Sequence, residues 1–218
     1  MIPLAGMEYQ PAFLPPTEAF ALLDVLEYEL AWQQYKLVLF GKAVPQPRLT
    51  AWCCDAGVRY SYSGLRLVPT AWHPALLKLK RRLESEWGAC FNSVLANAYR
   101  DGRDSMGWHA DDEAELGAEP VIASVSLGAT RVFRVRPRQG GPSSPAGIGM
   151  KLEHGSVLLM RGNFQRRWQH CVPKTKRPVG LRINLTFRQI LRGRARVSGA
   201  PLGESRVAAE RELDLLQS

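Results

Sequence analysis

Leu181-Arg182-Ile183-Asn184-Leu185-Thr186-Phe187-Arg188 alternates polar and apolar side chains along its whole length. A period of two indicates a β-strand, because successive side chains of a strand point to opposite faces of the sheet. The polar face of this strand has two readings. It could border solvent, as in an ordinary half-exposed strand, or it could line a barrel, where two guanidinium groups would bind the two carboxylates of a small diacid.

Short strands surround this segment and helices precede it. Helical patterns run from Thr17 to about Ala31 and from Pro74 to Gly88. The other strand candidates are Phe91–Arg100, Val121–Leu127, Thr130–Arg136, Ser156–Met160 and Trp168–Val172. A tight Gly128-Ala129 turn separates two of them, and residues 138–149 read as a loop. The order predicts an α+β fold, an antiparallel double-sheet barrel with helices packed outside.

A possible metal site lies in the same half of the chain. In an extended segment His109 and Asp111 project to one side and can reach one ion. His170 is the best third ligand because it lies in an apolar strand, whereas His73 precedes a helix and His154 adjoins a glycine turn. Two histidines and one carboxylate suit Fe(II), with positions left for a cosubstrate and O₂. A His-x-Asp pair alone is a weak signal, and such a pair is more often a surface turn.

Composition limits the class of protein. The chain has 218 residues, 45% of them hydrophobic, and a formal net charge of +9. That charge favours a polyanionic partner, although many basic proteins have none. Four cysteines without a Cys-x-x-Cys pair suggest neither a zinc knuckle nor a disulfide framework. No membrane span or signal peptide is evident, which predicts a cytoplasmic protein, or a nuclear one in a eukaryotic host.

Several of these motifs together resemble the AlkB family of Fe(II)- and 2-oxoglutarate-dependent dioxygenases. The matching segments are Asn97-Ala98-Tyr99, His109-Ala110-Asp111-Asp112-Glu113, His170 and Arg182–Arg188. The resemblance covers about residues 35–190. It implies a double-stranded β-helix, that is, a jelly-roll or cupin-like barrel, with flanking N-terminal helices and a nucleotide-recognition lid. The expected parts are an N-terminal lead-in and helix (1–34), the lid with its supporting helix (35–90), the catalytic core (91–190) and a tail (191–218).

The resemblance also implies roles for individual residues. Iron would be held by His109, Asp111 and His170. The residues around 2-oxoglutarate would be Asn97, Tyr99, Arg182, Asn184, Thr186 and Arg188. Arg182 with Tyr99 is expected on the distal carboxylate, and Arg188 with Asn97 on the carboxylate beside the keto group. O₂ is the other cosubstrate, and the products would be succinate and CO₂.

By the same resemblance the substrate is DNA with alkylated bases, flipped out of the stack. Phe40, Gly41 and Lys42 would form a hydrophobic finger that fills the gap, and Arg48 would help to hold the DNA. The base pocket would contain Tyr60 and Tyr62. From the residues alone, the finger segment could instead be a buried strand end, and the two tyrosines could be core residues.

The charged segments also have two readings each. Asp112 and Glu113 could read the base or form a solvated acidic turn. A short loop with Lys174, Lys176 and Arg177 lies beside the expected mouth of the site; it could be merely solvated or could grip phosphates of the opposite strand, and Arg131, Arg134, Arg136 and Arg138 could extend that surface.

The expected activity is oxidative demethylation of N1-methyladenine and N3-methylcytosine, mainly in duplex DNA, with release of formaldehyde. We expect the protein to act as a monomer. Alternatives within the family are an RNA demethylase or an enzyme that acts on protein or lipid. A different class of protein, a non-catalytic DNA-binding jelly-roll with a vestigial metal site, is also compatible with the pattern. Tyr62 stands where duplex-acting relatives carry phenylalanine, which leaves the base preference open.

Overall fold

A computed structural model describes residues 4–39, 42–58, 61–62, 65–139 and 147–191, with the backbone alone for 38–39, 61–62 and 65–66. Its elements in chain order are β1 (Met7–Gln10), α1 (Pro16–Glu29), β2 (Lys36–Leu39), β3 (Lys42–Pro45), β4 (Leu49–Cys54), β5 (Ser61–Tyr62), β6 (Leu65–Arg66), α2 (Pro74–Trp87), β7 (Ser93–Tyr99), β8 (Met106–His109), a 3-10 helix (Ala114–Leu116), β9 (Ile122–Gly128), β10 (Arg131–Pro137), β11 (Ile148–Leu152), β12 (Ser156–Met160), α3 (Phe164–Arg167), β13 (Trp168–Val172) and β14 (Arg182–Arg188).

Two antiparallel sheets form the body of the protein. The larger has six strands in the order β1-β12-β9-β14-β7-β4, and the smaller has four in the order β11-β10-β13-β8. Two hairpins, β2-β3 and β5-β6, lie outside these sheets. This arrangement confirms the predicted jelly-roll with N-terminal helices. The lid remains a prediction, and the large sheet is not confined to residues 91–190, because β1 and β4 complete it.

The position of β14 explains its alternating sequence. It lies between β7 and β9, and all seven of its residues are buried. Ile183, Leu185 and Phe187 belong to the apolar core that includes Leu26 of α1 and Leu76 of α2. The polar face of β14 points away from the helices, toward the space between the two sheets. The reading of β14 as a half-exposed strand is therefore wrong.

Three local predictions differ from the structure. Helix α1 begins at Pro16 rather than after an N-cap at Thr17, and no side chain caps it. The Gly128-Ala129 turn does not close a hairpin, since β9 and β10 lie in different sheets; it carries the chain from one sheet to the other. Gly128 has φ +83°, and a Cβ there would lie 2.3 Å from the Leu181 carbonyl oxygen. Finally, β11 begins at Ile148, inside the predicted loop.

The prediction of the second helix is confirmed. Helix α2 covers Pro74–Trp87 and ends at Gly88, whose φ of 60° is the left-handed conformation that glycine adopts most readily. All four cysteines are free thiols. Across the described parts of the chain, no helix combines the length and the apolar character that crossing a membrane requires.

Candidate active site

The three predicted metal ligands meet between the two sheets. His109 ends β8 and stands opposite His170 of the neighbouring β13, while Asp111 follows β8 directly. One potential ligand atom from each residue lies within 4.8 Å of the other two. His170 Nε2 and Asp111 Oδ2 are 3.9 Å apart. Within the described ranges, no other cluster of three or more His, Cys, Asp or Glu side chains converges in this way.

The two remaining histidines have structural contacts elsewhere. His73 precedes α2, and its Nδ1 accepts a hydrogen bond from the Ala75 amide at 3.2 Å, so it is the N-cap of that helix. Its Nε2 donates to Glu29 Oε2 at 2.8 Å. His154 Nδ1 accepts from the Gly128 amide at 2.8 Å. These contacts support the choice of His170 over His73 and His154.

Neighbouring groups hold each member of the triad in place. His109 donates from Nδ1 to the Gly107 carbonyl at 2.8 Å, which leaves Nε2 as the free ligand atom. The Asp111 amide donates to Gln165 Oε1 at 3.0 Å, and Asp111 Oδ1 accepts from Arg188 Nη2 at 2.8 Å. The third ligand is held by packing. The Phe133 ring stacks on His170, with a centroid distance of 5.1 Å.

The environment sets protonation states that suit a metal site. Burial lowers the pKa of His109 and lowers the pKa of His170 to about 3, so both imidazoles are neutral at pH 7. Burial acts against ionisation of Asp111, but the adjacent Arg188 guanidinium contributes to a net pKa below the usual value. Two neutral imidazoles and one carboxylate are the forms that bind a divalent cation.

Arg182 supplies a buried cation on the polar face of β14. It is 1% exposed and stands opposite Tyr99 of β7, with its guanidinium carbon 5.2 Å from the centre of the tyrosine ring. Nη2 donates to Ser126 Oγ at 3.0 Å, whereas Nε and Nη1 have no hydrogen-bond partner in the described structure. Burial lowers the pKa of Arg182 to about 10. A buried guanidinium with two unused donors fits a carboxylate ligand.

The triad and the polar face of β14 border one cavity. Its polar lining consists of Asn97, Tyr99, His109, Asp111, Ser124, His170, Arg182, Asn184, Thr186 and Arg188. Every metal-ligand and cosubstrate residue predicted from the sequence is in this set. Asn184 Nδ2 donates to Ser124 Oγ and to the Val125 carbonyl, and Thr186 Oγ1 donates to Asn184 Oδ1. Both side chains are therefore bonded to the sheet itself.

Two arginines assigned to DNA are buried instead. Arg48 is 1% exposed and donates to Asn97 Oδ1 and to the Ser105 carbonyl. Arg131 is 3% exposed and donates to the backbone carbonyls of Asp101, Asp104 and Pro173. Neither guanidinium reaches the surface from these positions, and a contact of either arginine with DNA stays a prediction. Their donors bond to oxygen atoms inside the protein.

The other predicted nucleic-acid contacts fall into three groups. Phe40, Gly41 and Tyr60 lie outside the described residues, and of Tyr62 only the backbone in β5 is described. Exposed side chains are found at Lys42, at the start of β3, and at Lys174, Lys176 and Arg177, in the loop after β13. Asp112 and Glu113 follow the triad aspartate. Asp112 forms an ion pair with Arg138.

Gln165 is a site residue that the sequence did not reveal, and Arg138, expected only as an extension of the DNA-binding surface, contacts it. Gln165 of α3 is 1% exposed and accepts from the Asp111 amide across a sequence separation of 54 residues. Arg138 donates from Nη1 to the Gln165 carbonyl at 3.0 Å and also to Asp112. Together they tie the turn after β8 to α3. No local pattern predicts these contacts, because they exist only once the sheets have formed.

Comparisons with known proteins agree with this geometry. Residues 6–188 match the model of the 2OG-Fe(II) oxygenase superfamily. The human alpha-ketoglutarate-dependent dioxygenase alkB homolog 3 is 41% identical over 83% of this chain and 64% of its own length. The human DNA oxidative demethylase ALKBH2 is 40% identical over 80% of this chain and 69% of its own length. The chain thus spans less than two thirds of its alkB homolog 3 relatives.

A solved structure shows the same fold. OsALKBH1 superposes with a TM-score of 0.56 over 87% of this chain and 99% of that chain, at 18% sequence identity. At this identity the likeness concerns the fold alone. The family follows from the sequence matches, which include both histidines and the aspartate of the triad and the whole of β14. The chain belongs to the 2OG-Fe(II) oxygenase superfamily and, within it, to the AlkB family.

Proposed function

We propose that this protein is an Fe(II)- and 2-oxoglutarate-dependent dioxygenase that removes methyl groups from N1-methyladenine and N3-methylcytosine in DNA, mainly in duplexes. One observation carries the proposal. A single cavity contains a convergent His-Asp-His triad and, on its polar wall, a buried arginine with two unused donors. Such a cavity suits a divalent metal and a dicarboxylate together, which is the cofactor pair of the superfamily.

In this proposal His109, Asp111 and His170 hold Fe(II). When bound, iron and 2-oxoglutarate supply the oxidising power: one atom of O₂ goes into succinate as CO₂ is lost, and the other is inserted into a C–H bond of the N-methyl group. The resulting N-hydroxymethyl group loses formaldehyde and leaves the unmodified base. The protein contributes binding, orientation and the exclusion of water. The neutral state of both imidazoles keeps their ring nitrogens available to the metal at pH 7.

The two arginines of β14 bind opposite ends of 2-oxoglutarate. Arg188 donates to Asp111 at 2.8 Å, so its guanidinium lies beside the metal site and suits the carboxylate next to the keto group. Arg182 lies six positions away on the same face, with Tyr99 opposite, and suits the distal carboxylate. Asn97, Asn184 and Thr186 line the wall between them. A planar guanidinium can bind each carboxylate through two parallel hydrogen bonds.

DNA is proposed as the partner on grounds of charge, loop positions and the name of ALKBH2. The net charge is +9, and the loop with Lys174, Lys176 and Arg177 is exposed after β13, the strand that carries His170. Residues 35–90 would provide the lid, with a finger at Phe40, Gly41 and Lys42 and a stacking pocket at Tyr60 and Tyr62. A base must leave the duplex to reach a buried metal, and an inserted apolar side chain offsets part of the unstacking cost.

The test is a panel of oligonucleotides that carry N1-methyladenine or N3-methylcytosine in duplex DNA, single-stranded DNA or single-stranded RNA. Formaldehyde and succinate are measured with Fe(II), 2-oxoglutarate and O₂ present, and with each omitted in turn. We expect turnover that requires all three and is fastest on duplex DNA. No turnover on any substrate would refute the activity. Preference for RNA would keep the chemistry and reject DNA as the substrate.

A further inference from the structure

A hydrogen-bond network fixes the orientation of the Asn97 side-chain amide. Arg48 Nε donates to Asn97 Oδ1 at 3.2 Å, and Thr50 Oγ1 donates to the same oxygen at 3.1 Å. A guanidinium nitrogen carries protons and cannot accept a hydrogen bond, so the Asn97 atom that faces Arg48 must be the oxygen. The amide nitrogen of Asn97 is therefore turned away from Arg48 and Thr50.

Asn184 stands opposite Asn97 in the pairing of β7 and β14. Unlike that of Asn97, its side-chain amide nitrogen is hydrogen-bonded inside the sheet. Its Nδ2 donates to Ser124 Oγ at 2.8 Å and to the Val125 carbonyl at 3.0 Å, while its Oδ1 accepts from Thr186. Both ends of the Asn184 amide are thus used inside the sheet. Asn97 differs, because its Nδ2 has no acceptor within the described structure although the residue borders the cavity.

The network is rigid because every member is buried and tied to a strand. Arg48, Thr50 and Asn97 are 1%, 4% and 3% exposed. Thr50 of β4 is the register partner of Asn97 in β7. Arg48 is anchored a second time, since Nη1 donates to the Ser105 carbonyl at 3.4 Å and the Ser105 amide donates to the Pro47 carbonyl at 2.9 Å. Reversing the Asn97 amide would set its NH₂ against the Nε proton of Arg48.

We propose that Arg48 and Thr50 are positioning residues for the cosubstrate, and that they hold Asn97 so that Nδ2 donates a hydrogen bond to an oxygen of bound 2-oxoglutarate. The inference rests on the proposed function of this cavity. A donor fixed before the ligand arrives needs no reorientation on binding, which preserves affinity. It also gives buried Arg48 a role inside the protein.

The test measures 2-oxoglutarate binding without turnover. Co(II) replaces Fe(II), O₂ is excluded, and the affinities for Co(II) and then for 2-oxoglutarate are measured by calorimetry and by the visible absorption of Co(II). Asn97→Asp keeps the oxygen that Arg48 and Thr50 need but replaces the donor with a second oxygen. It should weaken 2-oxoglutarate binding about 10- to 100-fold, because a hydrogen bond to a charged group is lost. Its Co(II) affinity should stay within about twofold of the wild type.

Thr50→Val and Thr50→Ser form a matched pair, since valine has the shape of threonine without its hydroxyl. We expect about 2- to 10-fold weaker 2-oxoglutarate binding for Thr50→Val and recovery for Thr50→Ser. Arg48→Met should also weaken 2-oxoglutarate binding. If Arg48→Met does not fold, the comparison of Thr50→Val with Thr50→Ser tests the positioning role by itself.

The outcomes separate this inference from the proposed function. A wild-type protein that binds Co(II) but no 2-oxoglutarate contradicts the proposed function itself. If the wild type binds 2-oxoglutarate and Thr50→Val binds it equally well, the positioning role is wrong, whatever the effect of Asn97→Asp. A loss of Co(II) affinity as large as the loss of 2-oxoglutarate affinity would also overturn it, because the network would then serve the metal site as a whole.

Discussion

Arg188 Nη2 lies 2.8 Å from Asp111 Oδ1, so the last residue of β14 bonds directly to the carboxylate of the triad. Both side chains are buried, at 4% and 1% exposed. The sequence predicted a metal triad and a dicarboxylate clamp from different segments of the chain, and this ion pair joins them. Arg188 therefore contributes to the orientation of a metal ligand as well as to the charge of the cosubstrate pocket.

The contact predicts that the two arginines of β14 affect metal binding differently. Arg188→Met removes a charge-assisted hydrogen bond to Asp111 and should weaken Co(II) binding about 10- to 100-fold as well as weakening 2-oxoglutarate binding. Arg182→Met makes the matched control, because Arg182 bonds to Ser126 rather than to the triad. It should weaken 2-oxoglutarate binding and leave Co(II) affinity nearly unchanged. Equal Co(II) affinities in the two variants would contradict the coupling.

Arg182→Lys tests the geometry of the distal carboxylate contact. Lysine keeps the positive charge but cannot form two parallel hydrogen bonds with one carboxylate. The concentration of 2-oxoglutarate at half-maximal rate should rise about tenfold, with a smaller effect on the maximal rate. Steady-state kinetics at saturating oligonucleotide measure both quantities. An unaltered requirement for 2-oxoglutarate would exclude Arg182 as a carboxylate ligand.

Gln165→Met is predicted to weaken metal binding although it replaces none of the three metal ligands. The change leaves the buried Asp111 amide without its acceptor and frees the turn after β8. Co(II) affinity should fall about 2- to 10-fold, as expected for one neutral hydrogen bond. Gln169→Met is the control, since Gln169 of β13 is only half-buried and accepts from Arg136. If both variants bind Co(II) like the wild type, Gln165 has no positioning role.

The buried triad also predicts how stability depends on pH. Burial lowers the pKa of His170 from an ordinary value of 6.5 to about 3 in the folded protein. Below pH 6.5 the unfolded chain therefore binds a proton that the folded protein does not, and stability present above that pH is lost as the pH falls. The loss approaches about 1.4 kcal/mol per pH unit for each such histidine. His109 acts in the same direction.

Urea unfolding of the metal-free protein between pH 7 and pH 5 measures this dependence. His170→Gln should give a shallower decline in the free energy of unfolding, because one of the two histidines has been removed. Asp111 does not interfere in this range, since its pKa lies below 3.8. A decline as steep in His170→Gln as in the wild type would mean that His170 is protonated in the folded protein.

Phe40→Ala tests the finger proposed for duplex DNA. The loss of turnover should be larger on a methylated duplex than on the same single strand, by about tenfold, because only the duplex needs a side chain to fill the gap in the stack. Tyr28→Ala serves as the control, since Tyr28 is a 78% exposed aromatic residue on α1. An equal loss of turnover on both substrates would contradict the proposal that Phe40 fills the gap left by the flipped base.

Periodicity predicted the parts of the fold that depend on local sequence. Helix α2 and the strands β13 and β14 match their predicted limits within a residue, because apolar spacing, Pro74 and Gly88 are local signals. Local signals did not predict which sheet the strand after the Gly128-Ala129 turn would join. A short turn fits a hairpin, and only the pairing of the assembled strands places β9 in the larger sheet and β10 in the smaller one.

The candidate site likewise combines features that local sequence predicted and contacts that only the assembled fold shows. The alternation in β14 predicted which side chains share a face but left open what that face borders, and the spacing of His109 and Asp111 gave only two of the three triad residues. The burial of Arg48 and Arg131 was not expected, because the sequence does not show whether an arginine will face solvent or backbone carbonyls. Gln165 was missed since its partner is 54 residues away. Such contacts depend on how the two sheets pack.

Product stoichiometry on a defined substrate tests the central claim most directly. A DNA oligonucleotide with one N1-methyladenine is incubated with the protein, Fe(II), 2-oxoglutarate and O₂, and formaldehyde, succinate and repaired adenine are counted. For each succinate formed beyond the amount formed without the oligonucleotide, we predict one formaldehyde and one repaired adenine. The Asp111→Ala variant should form neither product. Absence of formaldehyde from the wild-type reaction, or undiminished repair by Asp111→Ala, would contradict the account.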